Sequence, residues 1–155
     1  MSECVEKTLE QTLKEEGQIL TVALGVSMLP CIRAKKDILH LVSVNQPPEL
    51  YDIVLYRRKN GALILHRILG RNDSGYVLCG DNQYLLESGI KEQQILGVLQ
   101  GFYRGDDYIE CGKDPGYQIY VRIWCFSLTL RKWLLYLMNF GRKLWGKYSE
   151  RFRWK

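Results

Sequence analysis

The sequence predicts a mainly β fold with a short helix at its N-terminus and a basic, amphipathic helix at its C-terminus. Short apolar runs rich in Val, Ile and Tyr follow one another through the middle of the chain, and Gly, Pro, Asn and Asp separate them. Helical spacing of apolar residues is confined to the two ends. With 155 residues, the chain is long enough for one domain with a real core. We therefore expect an N-terminal helix over 1–17, a β domain over 18–116 and a helical tail over 117–155.

The N-terminal helix is predicted by apolar residues that recur every four positions among charged ones. Val5, Leu9 and Leu13 follow this spacing, and Gly17 ends the pattern. Several glutamates among the first residues exclude a secretory signal. No apolar run reaches the ~18–20 residues that a membrane-spanning helix needs. These features favour a cytoplasmic location.

The β domain is predicted from six strand-like runs bounded by turn signals. We expect these strands at residues 19–26, 37–44, 53–56, 62–68, 76–79 and 95–103. Between the third and fourth runs, Asn60-Gly61 indicates a two-residue hairpin turn in which both central residues have positive φ. Many short strands joined by frequent turns are typical of a compact β body.

The cysteines give no sign of a metal centre or a disulfide framework. Five are scattered along the chain without a Cys-x-x-Cys pair or a nearby histidine: Cys4, Cys31, Cys79, Cys111 and Cys125. An odd, unspaced set fits free thiols in a reducing compartment. We expect no metal site and no organic cofactor.

A single small hydroxyl, Ser27, lies in a segment bounded by Gly25 and Pro30. It is either an ordinary turn serine or a nucleophile, and a nucleophile needs a base. The chain has two histidines. His40 lies inside an apolar run and is interpreted as a packed or surface strand residue. His66 ends the predicted hairpin, and its imidazole is suited to taking a proton from a serine hydroxyl near neutral pH.

A third group that fixes the tautomer of the histidine would complete such a site. Two acidic residues follow the strand that ends at Cys79. Asp81 lies in the turn Gly80-Asp81-Asn82, and Glu87 comes later on the same loop. A Gly-Asp-Asn run is by itself a common turn.

The order of these motifs resembles that of the type I signal peptidases and the related LexA-repressor-like peptidases. The matching boxes are Gly-Val-Ser-Met-Leu-Pro at 25–30, Tyr-Asp-Ile-Val-Leu-Tyr at 51–56, Leu-His-Arg-Ile-Leu-Gly at 65–70, Gly-Asp-Asn at 80–82 and Ile-Leu-Gly-Val at 95–98. The resemblance covers about residues 18–104. It implies an open, coiled β-barrel.

The resemblance also implies the roles of the main residues. Ser27 matches the nucleophile of the Ser-Met box. Bacterial housekeeping signal peptidases have a lysine base where this chain has His66, so the sequence is similar to the archaeal and endoplasmic-reticulum type, which uses Ser and His. In that type an acidic residue after the Gly-Asp-Asn box completes the site. By spacing this residue is Glu87, while Asp81 matches the Asp of the box itself.

Further residues of the boxes have supporting roles by the same resemblance. Backbone N–H groups around Ser27 would face the oxyanion, in a turn that contains Gly25. Met28 packs under the site or is simply a core residue. Arg67 supports the acidic loop through a charge-assisted bond or is a solvent-facing strand residue. Asn82 is the remaining supporting residue.

The tail differs from the body in charge. Residues 117–155 contain nine Lys and Arg against the single Glu150, whereas the remaining residues hold more Asp and Glu than Lys and Arg. A basic helix rich in Trp and Leu over 118–155 fits the surface of an anionic membrane. A helix packed on the body or on a partner protein is the alternative. Nucleic-acid binding is disfavoured because no nucleic-acid motif accompanies the charge.

Taken together, the sequence predicts a serine endopeptidase that cleaves a peptide or leader segment of another chain through an acyl-enzyme. The alternatives are a noncatalytic peptide- or membrane-binding module on the same fold and a LexA-like regulatory protein. A regulator is disfavoured because no helix-turn-helix region precedes the fold. The expected location is the cytoplasm, with peripheral contact at the inner face of the membrane.

Overall fold

The computed structural model describes residues 8–138 and confirms the mainly β prediction. Its elements are α1 (Leu9–Glu16), β1 (Gln18–Val22), β2 (Ile38–Ser43), β3 (Ile53–Arg57), β4 (Leu63–Asn72), β5 (Gly75–Cys79), β6 (Glu87–Ile90), β7 (Ile95–Arg104), β8 (Asp107–Glu110) and α2 (Pro115–Cys125). A short 3₁₀ helix at Glu92–Gln94 precedes β7. A third helix, α3, covers residues 128–138.

The eight strands form one antiparallel sheet. Its order is β1-β2-β7-β3-β4-β5-β6. The long strand β7 pairs with β2 along one side and with β3 and then β8 along the other. Within the described residues β1 and β6 are the outer strands and do not pair with each other, so the sheet is open rather than closed.

Two strands, β6 and β8, were not predicted, and one predicted strand is shorter than expected. Both extra strands have only four residues, too few to give a clear alternation of apolar and polar positions. The strand expected over 19–26 ends at Val22. Val22 pairs with Ile38, the first residue of β2, so the residues after Val22 have no strand beside them.

The hairpin between β3 and β4 is confirmed, but the predicted turn is wrong. The N–H of Gly61 donates to the Arg58 carbonyl, and the N–H of Arg58 donates to the Ala62 carbonyl, both at 2.9 Å. Gly61 has φ 85°, whereas Asn60 is not among the residues with positive φ. The loop therefore has three residues and one left-handed glycine. Asn60 instead contributes its side chain, whose Oδ1 accepts from the Ala62 N–H at 3.1 Å.

Strand β3 is buried on both faces and separates two cores. Ile53 and Leu55 belong to the larger core, which α1 and α2 cover. Val54 and Tyr56 belong to the smaller core, between β3, β4 and β5. This alternation follows the two-residue period of a strand. It fixes the position of β4, the neighbour of β3 that carries His66.

Helix α1 agrees with the predicted N-terminal helix over its described part. Thr8 caps it in a reciprocal pair of hydrogen bonds with Gln11, and Gly17 ends it in the left-handed conformation. Leu13 anchors it in the larger core. Val5 and the rest of residues 1–7 lie outside the described residues.

The prediction of one continuous C-terminal helix is wrong over the described residues. Helix α2 starts at Pro115, and the chain leaves the helix at residues 126–127. A new helix begins there because the Ser127 hydroxyl accepts a hydrogen bond from the Leu130 N–H at 3.3 Å. The Arg131 guanidinium donates to the Trp124 carbonyl near the end of α2, from Nε and Nη2, both at 3.2 Å. A cation at a helix C-terminus stabilises that end.

The C-terminal helices pack against the body with one side. The buried residues of that side are Tyr117, Val121, Arg131 and Leu135. None of the described helices is long and apolar enough to cross a membrane. The part of the predicted tail over 139–155 lies outside the described residues.

Candidate active site

Ser27 and His66 line the same cleft. The cleft has a volume of about 440 Å³ and lies between the end of β1, the β3–β4 hairpin and helix α1. Its polar lining includes Ser27, His66, Arg58 and Gln83, and most of the remaining lining is apolar. The structure thus places Ser27 and His66, the two residues that the sequence singles out, on the lining of one cleft.

His66 lies in the middle of β4, directly opposite Val54 of β3, and its side chain is only 2% exposed. Its Nδ1 atom lies 3.2 Å from the Tyr56 hydroxyl and 3.5 Å from Oε1 of Glu87. Burial lowers the pKa of His66, and the nearby Glu87 carboxylate opposes this effect. The imidazole is therefore neutral near pH 7, as a general base requires.

Of the two acidic residues that the sequence left open, Glu87 is the one beside the imidazole. The Arg58 guanidinium forms an ion pair with Glu87, with Nε 2.8 Å from Oε2. This hydrogen-bonded pair, with a further hydrogen bond from Tyr56, lowers the pKa of Glu87. Glu87 is consequently ionised and held in place next to Nδ1 of His66.

Asp81 is fully buried and engaged elsewhere. Arg67 donates to it through Nε at 2.9 Å and Nη2 at 2.7 Å, and the Tyr120 hydroxyl donates at 3.0 Å. Arg67 is itself fully buried, so it is not a solvent-facing residue, and the expected charge-assisted bond to the acidic loop is present. Arg67 also reaches the Tyr51 carbonyl at 2.9 Å and the Tyr117 hydroxyl at 3.0 Å. Asp81 thus fixes the loop rather than the imidazole.

The Gly80-Asp81-Asn82 turn holds the Ser27 segment against His66. The Asn82 N–H donates to the Ser27 carbonyl at 2.7 Å, and its side-chain amide donates to the Val26 carbonyl at 3.2 Å. A β-carbon at Gly80 would lie 2.6 Å from the Ser27 carbonyl oxygen and 3.1 Å from Nε2 of His66. Only glycine lets the two approach this closely. Nε2 therefore lies beside the Ser27 turn, on the side of the ring away from Glu87.

The Ser27 turn itself differs in one respect from the expectation. Gly25 has no neighbour within 4 Å of a β-carbon and no positive φ, so this position does not require glycine. Met28 is 2% exposed and also lines the cleft, so it is both a core residue and part of the floor of the site. The N–H groups of Ser27 and Met28 donate to no other described residue. Backbone N–H groups of this kind are the donors that an oxyanion hole uses.

The sequence patterns did not predict two residues of this arrangement, Tyr56 and Arg58, as site residues. Tyr56 is fully buried, and burial with the nearby Glu87 raises its pKa, so its phenol stays protonated. Tyr56 lies two residues from Val54, and hence on the same face of the sheet as His66. The two-residue spacing of Tyr56 and Arg58 predicts that both side chains lie on one face of the strand. Whether this face is that of His66 depends on the register of the hairpin.

The other candidate groups do not compete with Ser27. Four described cysteines, Cys31, Cys79, Cys111 and Cys125, are free. Burial raises the pKa of the Cys31 thiol to about 12, so it stays protonated and weakly nucleophilic. Cys4 lies outside the described residues. His40 is a half-buried residue of β2, and its ring nitrogens lie 2.9 Å from Gln18 and from Tyr108. This agrees with a packed or surface strand residue. The residues 8–138 contain no group of His, Cys, Asp and Glu that could hold a metal ion.

Comparison of the chain with protein-family models, curated proteins and solved structures found no match. A functional assignment therefore depends on the geometry of the cleft.

Proposed function

We propose that the protein is a serine endopeptidase of the signal-peptidase-like class, which cleaves a peptide or leader segment through an acyl-enzyme. One observation carries this proposal. Ser27 and His66 line the same cleft, and the nitrogen of His66 that points away from Ser27 lies beside an ionised carboxylate. In a catalytic triad of serine, histidine and carboxylate, the imidazole takes the proton of the serine hydroxyl, and the carboxylate stabilises the imidazolium that forms. The order of the sequence boxes and the open antiparallel sheet support the family assignment.

The protonation states follow from the contacts around Nδ1. Since the Glu87 carboxylate can only accept, the Tyr56 hydroxyl donates to it and its oxygen accepts from Nδ1–H of His66. The lone pair of the neutral imidazole is then on Nε2, toward Ser27. This tautomer is the one that a general base needs.

In the proposed reaction the Ser27 hydroxyl oxygen attacks the peptide carbonyl carbon while Nε2 of His66 takes its proton. The N–H groups of Ser27 and Met28 stabilise the oxyanion, and Glu87 stabilises the imidazolium. The C–N bond then breaks, His66 returns the proton to the leaving amine, and Ser27 is left as an ester. Water, deprotonated by His66, hydrolyses this ester and restores the free hydroxyl.

The edge strand β1 supports binding of an extended peptide. Within the described residues β1 pairs only with β2, and it leads into the segment that carries Ser27. A substrate strand can add to such a free edge through main-chain hydrogen bonds. Its side chains would enter the apolar part of the cleft, which Leu39, Leu55 and Leu65 line.

Cleavage of a peptide library by the full-length protein, read by mass spectrometry, tests the function. We expect wild type to produce defined cleavage products and Ser27→Ala to produce none, because no other group supplies the nucleophile. Ser74→Ala, an exposed serine in the β4–β5 turn, serves as the matched control and should cleave like wild type. Equal products from Ser27→Ala and wild type would end the proposal. The absence of products from wild type would favour the noncatalytic module.

The pH dependence of cleavage follows from the lowered pKa of His66. Because the neutral imidazole is the base, kcat/KM should fall as pH drops through this pKa, about tenfold per pH unit. Burial shifts the inflection of this acidic limb below the ordinary histidine value of 6.5. We expect it to lie below 6.5 when kcat/KM is measured against pH on a peptide from the library. An inflection above 6.5 would contradict the assignment of His66 as the base.

A further inference from the structure

The outer side of α2 and α3 carries a row of exposed apolar side chains. Six of them recur at alternating spacings of four and three residues, and we call them the C-terminal apolar face: Ile119, Ile123, Phe126, Leu130, Trp133 and Leu137. Within each helix this spacing places the side chains on one side, with Ile119 and Ile123 on α2, Leu130, Trp133 and Leu137 on α3, and Phe126 in the break between them. The opposite side, with Tyr117 and Val121, is buried against the body. Phe126 is 84% exposed, so the body leaves this face uncovered.

The charged residues on the helices that carry the C-terminal apolar face are all positive. The sequence has no Asp or Glu between Pro115 and Ser149. Arg122 and Lys132 are exposed on the helices that carry the face. A second copy of the chain would bring cations against cations, whereas paired helices use opposite charges at their flanks. The charge therefore favours an anionic occupant over self-association.

The residues of the face also suit a lipid surface. Phe126 and Trp133 are large aromatic side chains, and the indole of Trp is favoured at the level of lipid headgroups. Cations next to such residues gain further from anionic lipids. We infer that the C-terminal apolar face binds the surface of a membrane that contains anionic lipids. This inference does not depend on the peptidase proposal.

The C-terminal apolar face adjoins the loop that supports the cleft. Lys132 Nζ lies 5.3 Å from the centre of the Tyr84 ring, and the exposed Leu85 and Leu86 follow Tyr84 along this loop. The same loop carries Asn82, which holds the Ser27 turn. A membrane bound to the face would consequently lie near the cleft.

Binding of the full-length protein to vesicles tests the inference. We expect it to bind phosphatidylcholine vesicles containing phosphatidylglycerol at least about tenfold more tightly than pure phosphatidylcholine vesicles, with weaker binding at high salt. Phe126→Ser/Trp133→Ser should lower binding to the anionic vesicles at least about tenfold. Leu20→Ser/Leu50→Ser removes two similarly exposed apolar side chains elsewhere and should bind like wild type.

A charge-reversal variant makes the test independent of the apolar substitutions. Arg122→Glu/Lys132→Glu changes two exposed side chains and should abolish the preference for anionic vesicles, with circular dichroism confirming that both variants fold. The inference is wrong if wild type ignores anionic vesicles, or if the variants on the face bind them as wild type does. A dimer in analytical ultracentrifugation that Phe126→Ser/Trp133→Ser disrupts, without vesicle binding, would assign the face to a second copy instead.

Discussion

Replacing Glu87 with glutamine is expected to lower kcat/KM on a library-derived peptide by about 10³-fold, because the imidazolium that forms on His66 loses its carboxylate. The carboxylate lies 3.5 Å from Nδ1 of His66. A glutamine amide has nearly the same shape but no charge, so it cannot stabilise the imidazolium. Because an amide can also donate, it no longer fixes the Tyr56 hydroxyl as a hydrogen-bond donor. Steady-state kinetics of the folded variant measure the loss.

The pH profile separates this role from a merely structural one. Glu87 raises the pKa of His66 against the effect of burial, so Glu87→Gln should also move the acidic limb to lower pH. Tyr56→Phe should lose less activity, because the Glu87 carboxylate remains beside the imidazole. Glu92→Gln changes a carboxylate in the exposed 3₁₀ helix and should match wild type. An unchanged rate and profile for Glu87→Gln would remove Glu87 from the mechanism.

Replacing Asp81 with alanine is expected to lower the free energy of unfolding by about 3–5 kcal/mol. Asp81 and Arg67 are both fully buried and joined by two hydrogen bonds. Loss of the carboxylate leaves the Arg67 charge buried with only neutral partners, and the Tyr120 hydroxyl loses its acceptor. A loss of this size is a large fraction of the stability of an ordinary domain. Urea unfolding of wild type and variant measures it.

A double variant shows whether the cost comes from the unpaired charge. Asp81→Ala/Arg67→Met removes the buried cation as well, so it should be more stable than Asp81→Ala alone. Asp106→Ala removes an exposed aspartate from the β7–β8 turn and should change stability by less than about 0.5 kcal/mol. A double variant less stable than Asp81→Ala, or an Asp81→Ala variant as stable as wild type, would contradict this account.

The turn that carries Asp81 also joins the C-terminal helices to the site. Besides the Tyr120 hydroxyl, the Trp124 indole donates to the Asp81 carbonyl at 2.9 Å. The buried Arg131 lies 3.4 Å from the Gly80 carbonyl. These contacts place α2 and the start of α3 behind the Gly80-Asp81-Asn82 turn, which holds the Ser27 segment. Helices α2 and α3 therefore support the cleft with their buried side and present the C-terminal apolar face with the other.

Local sequence patterns predicted much of the fold. Alternating apolar runs and turn residues give β2 to β5 and β7 to within a few residues, because each run already carries its own two-residue period. The break at residues 126–127 was not predicted, because apolar residues continue at helical spacing across it. Ser127 caps α3 through a bond from the Leu130 N–H, and the Arg131 side chain reaches back across the break to the Trp124 carbonyl. Neither contact changes the apolar spacing from which the helix was predicted.

The sequence by itself determined the candidate nucleophile and base, since the chain offers only two histidines and one serine in a matching box. The tertiary structure decided which residues lie beside the candidate base. A two-residue turn at Asn60-Gly61 would pair Leu55 with His66 and place Tyr56 on the opposite face of the sheet. The observed three-residue loop shifts the register by one, pairs Val54 with His66 and brings Tyr56 to Nδ1. Tertiary contacts also decide that Glu87, and not Asp81, lies beside Nδ1 of His66, because the buried Arg67 donates to both carboxylate oxygens of Asp81.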